Sequence, residues 1–216
     1  MKCYHMTKID NLDSISKLGL IPRNGDNSKL IHDDKIKVFF SEGYEGAIAL
    51  YVDFSIVYQQ VKKKEIILND DYLMNKIMSS KNLEDYLEDG VYLSFDMNGI
   101  TNERNFENGC TSQVIEPEKL NVLVLKNMET NEVSYSRFNL IHYMMSTVSP
   151  TQIKYYGVIY SNSPSFEEAT KRIQNKVKRY YDYNRNVIDK FKMNHYEVEE
   201  IPLKTFLNEK CKVHLL

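Results

Sequence analysis

Apolar residues recur along this chain at two periods, and the switches between them mark out its elements. Residues 2–6 read as a short strand. Asp10 or Asn11 then caps a helix that carries Leu12, Ile15 and Leu18 on one face, and Gly19 stops it. Residues 21–34 hold Pro22, Gly25 and several Asn, Ser and Asp, a loop composition that ends at the compact strand Lys37-Val38-Phe39-Phe40-Ser41. Gly43 opens a second helix with Ala47, Leu50, Tyr51, Phe54 and Tyr58 at helical spacing. Its basic end, Lys62-Lys63-Lys64, complements the negative pole of the helix dipole.

The middle of the chain reads mainly as strands, at 91–95, 111–115, 121–126 and 155–160. One or two short surface helices fit the acidic residues 68–89, and 98–109 is polar loop. After Ser163-Pro164-Ser165 the period becomes helical again, with Phe166, Ala169, Ile173, Val177, Tyr180, Val187 and Phe191 three or four apart or at multiples of that spacing. These readings predict an α+β protein. Residues 1–162 form the main domain, and 163–216 form a helical extension, chiefly one long helix, packed on it.

Composition narrows the function classes. With 42% hydrophobic and 27% charged residues in a chain of 216, wholesale disorder and fibrous repeats are excluded. A net charge of −2 supplies no global attraction for nucleic acid. Locally the charge is uneven, and Lys171, Lys178, Arg185 and Lys192 fall seven apart, a stripe of about 30 Å on one helix face. Such a stripe is either a solvated face or a surface for nucleic acid or an acidic protein. No apolar run approaches the roughly 20 residues that span a bilayer, and the first ten residues lack a signal pattern, so a cytoplasmic protein without a membrane partner is expected. Cys3, Cys110 and Cys211 lack metal or disulfide spacing and read as reduced thiols. The five histidines include no pair one helical turn apart, so no metal is expected.

Three blocks carry more specific chemistry. Tyr4-His5-Met6-Thr7, followed by Asn11-Leu12, Ser14-Ile15 and Gly19-Leu20-Ile21-Pro22-Arg23, resembles the opening of ADP-ribosyltransferase-like folds, particularly those of DNA-targeting toxins from toxin–antitoxin pairs. Val38-Phe39-Phe40-Ser41-Glu42-Gly43, with Ala47, Leu50 and Tyr51, resembles the strand and helix of the poly-ADP-ribose-polymerase branch. The run from Thr111 to Leu120 resembles the strand bearing that family's catalytic Glu, and here Gln113 stands in its place. The resemblance covers residues 2–126.

The resemblance implies a split antiparallel β-sandwich, NAD held between its two sheets, and cleavage of the nicotinamide–ribose bond through an oxocarbenium-like transition state. ADP-ribose would pass to an acceptor that the sequence does not identify. It also implies that His5 bonds a ribose hydroxyl, that the Met6 backbone holds the nicotinamide amide, and that Phe39 and Tyr51 sandwich the ring. Thr7 and Ser41 complete the set, and Arg23 or Ser28 meets the pyrophosphate or adenosine. Gln113 keeps the hydroxyl contact but lacks a charge typically worth ~3–4 kcal/mol. The chemistry is then roughly a hundredfold to thousandfold slower unless Glu42, Glu45, Glu107 or Glu116 supplies it. Glu42 and Glu45, opening a helix beside the nicotinamide site, are the favoured replacements. Two alternatives stay open. One is a nucleotide-binding or protein-interaction module without turnover, which Gln113 favours. The other is a relative of the RNA 2′-phosphotransferases, which work with His and Arg and predict a cleft lined by Arg23 and at least one more cation.

Overall fold

A computed structural model of the chain describes residues 1–23, 36–68, 71–87, 90–103, 108–154, 165–193 and 195–213. The strands are β1 (Lys2–Lys8), β2 (Val38–Glu42), β3 (Gly90–Asp96), β4 (Asn108–Thr111), β5 (Asn121–Asn127), β6 (Val133–Ser134) and β7 (Tyr196–Pro202). They form an antiparallel sheet in the order β4-β2-β1-β3-β5. β7 pairs with β5 along its whole length, opposite β3, while the short β6 lies beyond β3 on the same edge of β5. The protein is α+β.

Side-chain alternation sends each strand's residues to two faces, and helices cover both. On one face Cys3, Phe40, Leu93, Phe95 and Val122 pack with Leu12 and Ile15 of α1 (Leu12–Leu18) and with Leu203 and Phe206 of α8 (Leu203–Val213). On the other, Tyr4, Tyr92, Leu123 and Leu125 meet a larger layer built on α2 (Gly43–Lys62). That layer also holds α3 (Asp71–Ser79), α4 (Leu83–Leu87), α5 (Arg137–Thr147), α6 (Phe166–Tyr183) and α7 (Arg185–Met193). Ala47, Tyr51, Phe54, Tyr58 and Val61 of α2 are all buried at alternating spacings of four and three. Burying each large apolar side chain of this kind contributes about 1.5–3 kcal/mol.

Several expectations change. The expected sandwich of two packed sheets is not seen among the described residues, whose strands form one hydrogen-bonded path with helices packed on both faces. The residues 163–216 are more than a helical extension, because β7 completes the main sheet with seven register pairs to β5. The long C-terminal helix is two helices: Asn184 caps α6, its side-chain amide donating to the Tyr180 carbonyl at 2.9 Å, and α7 restarts at Arg185. The acidic helices α3 and α4 are not purely superficial, since they bury Leu73, Ile77, Tyr86 and Leu87. The expected strand at 155–160 and the capping residues Ser163 and Pro164 lie outside the described residues. Ser165 does cap α6, accepting from the Glu168 N–H at 3.1 Å.

Candidate functional site

The sheet is nearly split at one seam. β1 pairs with β3 through seven residues, from Lys2↔Asp96 to Lys8↔Gly90, but with β2 only at Cys3↔Glu42 and Tyr4↔Ser41. Beyond Tyr4 the two strands part. His5 spans the gap, its Nδ1 lying 2.8 Å from the Phe39 carbonyl oxygen. A cavity of about 580 Å³ opens here and extends toward both helical layers. That size falls within the range of small-molecule and cofactor sites, roughly 300–1,000 Å³.

The cavity gathers His5, Met6 and Thr7 from β1, Phe39 and Ser41 from β2, Tyr51 from α2, and Arg23. Ser28 lies outside the described residues. Because a carbonyl oxygen can only accept, the Nδ1 of His5 carries the proton and Nε2 of the neutral ring is left as an acceptor. Burial pushes the His5 pKa down, the Arg23 charge adds to that, and the bond to Phe39 opposes it. On the α1 side, Asn11 Nδ2 donates to Thr7 Oγ1 at 3.1 Å, which orients both cavity-lining side chains. Tyr51 is 1% exposed and edge-on to Phe138 and Tyr180, and its hydroxyl accepts from that of Tyr180 at 3.2 Å.

Two of the expected catalytic positions sit elsewhere. β4 ends at Thr111, whose Oγ1 accepts from the Gln113 N–H at 3.1 Å and bends the chain. Gln113 is therefore exposed, its side-chain oxygen accepting from the Thr101 N–H at 2.7 Å, and it does not line the cavity. Glu42 ends β2 beside Cys3 and accepts from Asn102 Nδ2 at 2.8 Å, also outside the cavity lining. Glu45 and Glu116 do not line it either, and Glu107 lies outside the described residues. Among the described residues, no Asp or Glu lines this cavity.

Cations do. Lys8, Arg23 and Lys37 line the α1 side, and Lys76 of α3 and Arg137 of α5 line the opposite side. Lys37 is paired with Glu103, whose carboxyl also accepts from Ser112 and is held down at about 2 by these bonds. The sequence singled out Asn11 only as a helix cap and as part of the opening block, and it did not single out Lys76 or Arg137. The one available signal was an Arg in a helical first turn that contains no acid, the reverse of the usual dipole preference.

The basic stripe has a different character from the expected continuous face. Asn184 interrupts it, and Lys171, Lys178, Arg185 and Lys192 each pair with an acid three or four residues away, respectively Glu167, Asp182, Asp182 and Asp189. Among the described residues no group of three His, Cys, Asp or Glu is placed to hold a metal ion, and no helix is long and apolar enough to cross a membrane. Comparison with family models, curated proteins and solved structures finds no match to this chain.

Proposed function

We propose that this chain is an ADP-ribosyltransferase-like protein that holds NAD in the cavity at the β1–β2 seam. The observation that carries the reading is His5 bridging the parted strands, with its Nδ1–H given to Phe39 and an acceptor nitrogen left over. That nitrogen accepts from a ribose hydroxyl. Met6 and Ser41 line the cavity beside it, and Phe39 offers aromatic surface to a flat ring, with the almost wholly buried Tyr51 in the wall behind. Lys8 and Arg23 meet the pyrophosphate through charge-assisted bonds. NAD itself supplies a glycosidic bond whose cleavage develops positive charge on the ribose.

The lining offers that charge no carboxylate among the described residues, so turnover is slow. This same feature favours a second reading, in which the protein binds the dinucleotide without cleaving it. A third, a 2′-phosphotransferase-like site, draws support from the added cations Lys76 and Arg137.

Calorimetry with NAD, together with assay of nicotinamide release, tests these readings. Micromolar to low-millimolar binding that weakens about five- to tenfold in His5→Ala supports the site, a hydrogen bond being worth about 1 kcal/mol. Nicotinamide release then separates the enzyme from the binding module. Absence of both binding and release overturns the dinucleotide reading, and capture of a 2′-phosphorylated oligoribonucleotide in its place favours the third.

A further inference from the structure

The cavity passes through the sheet, and its two sides differ in chemistry. Cys3, Val38 and Phe40 pack in the layer that holds α1, so alternation along β1 puts His5 on that side. Tyr4 and Met6 pack in the layer built on α2, and the same alternation puts Phe39 and Ser41 with them. On the α1 side the lining includes Ser14, Ile21 and Arg23, all of them exposed. On the α2 side it includes Ala47, Leu50, Phe54, Leu87 and Tyr92, of which all but Leu50 are at most 3% exposed. His5 stands between the two compartments, at the point where β1 and β2 part.

The α2 compartment suits a flat, neutral ring. Phe39 and Tyr92 give it aromatic walls, and Ser41, 2% exposed, donates its hydroxyl to the Tyr4 carbonyl at 3.3 Å, leaving the oxygen to accept from a ring amino group. NAD carries two rings of unlike character, a pyridinium with a fixed positive charge and an uncharged adenine. Burying an unpaired charge costs far more than burying a neutral ring, and among the described residues no Asp or Glu lines the cavity to pair with it. Attraction to aromatic faces recovers less than that cost. Adenine gains from stacking and apolar burial with no charge to desolvate.

We infer that the compartment beneath α2 is an adenine site, and that the dinucleotide threads the β1–β2 seam with its adenine innermost and its pyridinium on the exposed α1 side. The inference rests on the dinucleotide reading and reverses the orientation that the family resemblance implies. The ribose at His5 is then that of the adenosine, and the scissile bond lies on the exposed side of the sheet. Adenine nucleotides become the class of small molecule that the site takes.

Titration calorimetry of the full chain with NAD, adenosine monophosphate and nicotinamide mononucleotide tests the orientation. Adenosine monophosphate is expected to bind at least tenfold more tightly than nicotinamide mononucleotide. Leu50 is half-buried in the compartment wall, and Leu50→Trp, which fills the space, is expected to weaken adenosine monophosphate at least tenfold. Saturation-transfer NMR of NAD on the wild-type protein needs no variant and keeps the test decisive if Leu50→Trp fails to fold or the fragments bind too weakly. The adenine H2 and H8 signals should receive more saturation than the pyridinium protons. A fragment advantage below tenfold, an affinity unchanged by a folded Leu50→Trp, or stronger transfer to the pyridinium overturns the adenine site while leaving the dinucleotide site standing. Binding of none of the three ligands overturns the dinucleotide reading, and the orientation falls with it.

Discussion

Alanine at Gly19 would damage the cavity wall through the backbone alone. Gly19 follows α1 with φ 75° and ψ −172°, a conformation essentially restricted to glycine, and imposing it on alanine costs about 1–3 kcal/mol. A Cβ there would also stand 2.3 Å from the Ile115 carbonyl oxygen, which accepts from the Leu20 N–H at 2.9 Å. Because the obstacle is backbone, relief requires shifting Ile115 off Leu20, and overpacking of this kind adds about 1–3 kcal/mol. The sum is roughly 2–6 kcal/mol. At about 2–4 °C per kcal/mol for a chain of this size, Gly19→Ala should melt roughly 5–20 °C below wild type. Gly99 provides the control. It has the same φ of 75°, but its nearest neighbour is Lys119 Nζ at 3.9 Å, so Gly99→Ala meets only the conformational cost, about 1–2 kcal/mol or roughly 2–8 °C. Thermal unfolding followed by circular dichroism measures both. A Gly19→Ala protein melting within about 2 °C of wild type, or no lower than Gly99→Ala, refutes the reasoning.

Acid should weaken the fold before the carboxylates titrate. Burial lowers the pKa of both His5 and His142 from the ordinary 6.5, so over the interval below that value the unfolded chain binds more protons than the folded one. Stability is therefore full above about pH 6.5 and declines as pH falls toward the folded pKa values, by up to ~1.4 kcal/mol per pH unit for each histidine. Urea midpoints that stay flat or rise between pH 7 and 5 contradict this. The Cys3 thiol is fully buried, with its pKa pushed up to about 12 chiefly by desolvation, so peptide mapping after native iodoacetamide treatment should find Cys3 unmodified. Extensive native labelling there contradicts the packing of β1. Because Lys178 and Lys192 each pair with an acid on their own helix, Lys178→Gln and Lys192→Gln should change duplex DNA binding in a filter assay by less than about twofold. A tenfold loss would show that the pairs open to phosphate.

Much of the architecture near the amino terminus was legible because local period and tertiary role coincide there. Leu12 and Ile15 on one side of α1, and the run from Ala47 to Tyr58 on α2, are helical patterns that became buried faces. The seam was not legible as such. Nothing in Lys2-Cys3-Tyr4-His5-Met6-Thr7-Lys8 distinguishes the two residues that pair on both sides from those that pair only with β3, since pairing depends on partners far away in the chain. β7 carries a period-two signal in Tyr196-Glu197-Val198-Glu199, but its three acids concealed a strand that pairs fully with β5. Gln113 was placed from its flanking residues, and the turn made by Thr111 took it out of the strand. Arg137 and Lys76 reach the cavity through long-range packing, and the acid-free first turn of α5 is the one local sign of either.

The most direct test is the nitrogen NMR spectrum of the His5 ring, recorded without and with NAD. The account expects a neutral ring protonated at Nδ1, as the bond to Phe39 requires, and a clear change at Nε2 when NAD is added. A ring protonated at Nε2 instead, or an Nε2 signal indifferent to millimolar NAD, would contradict it.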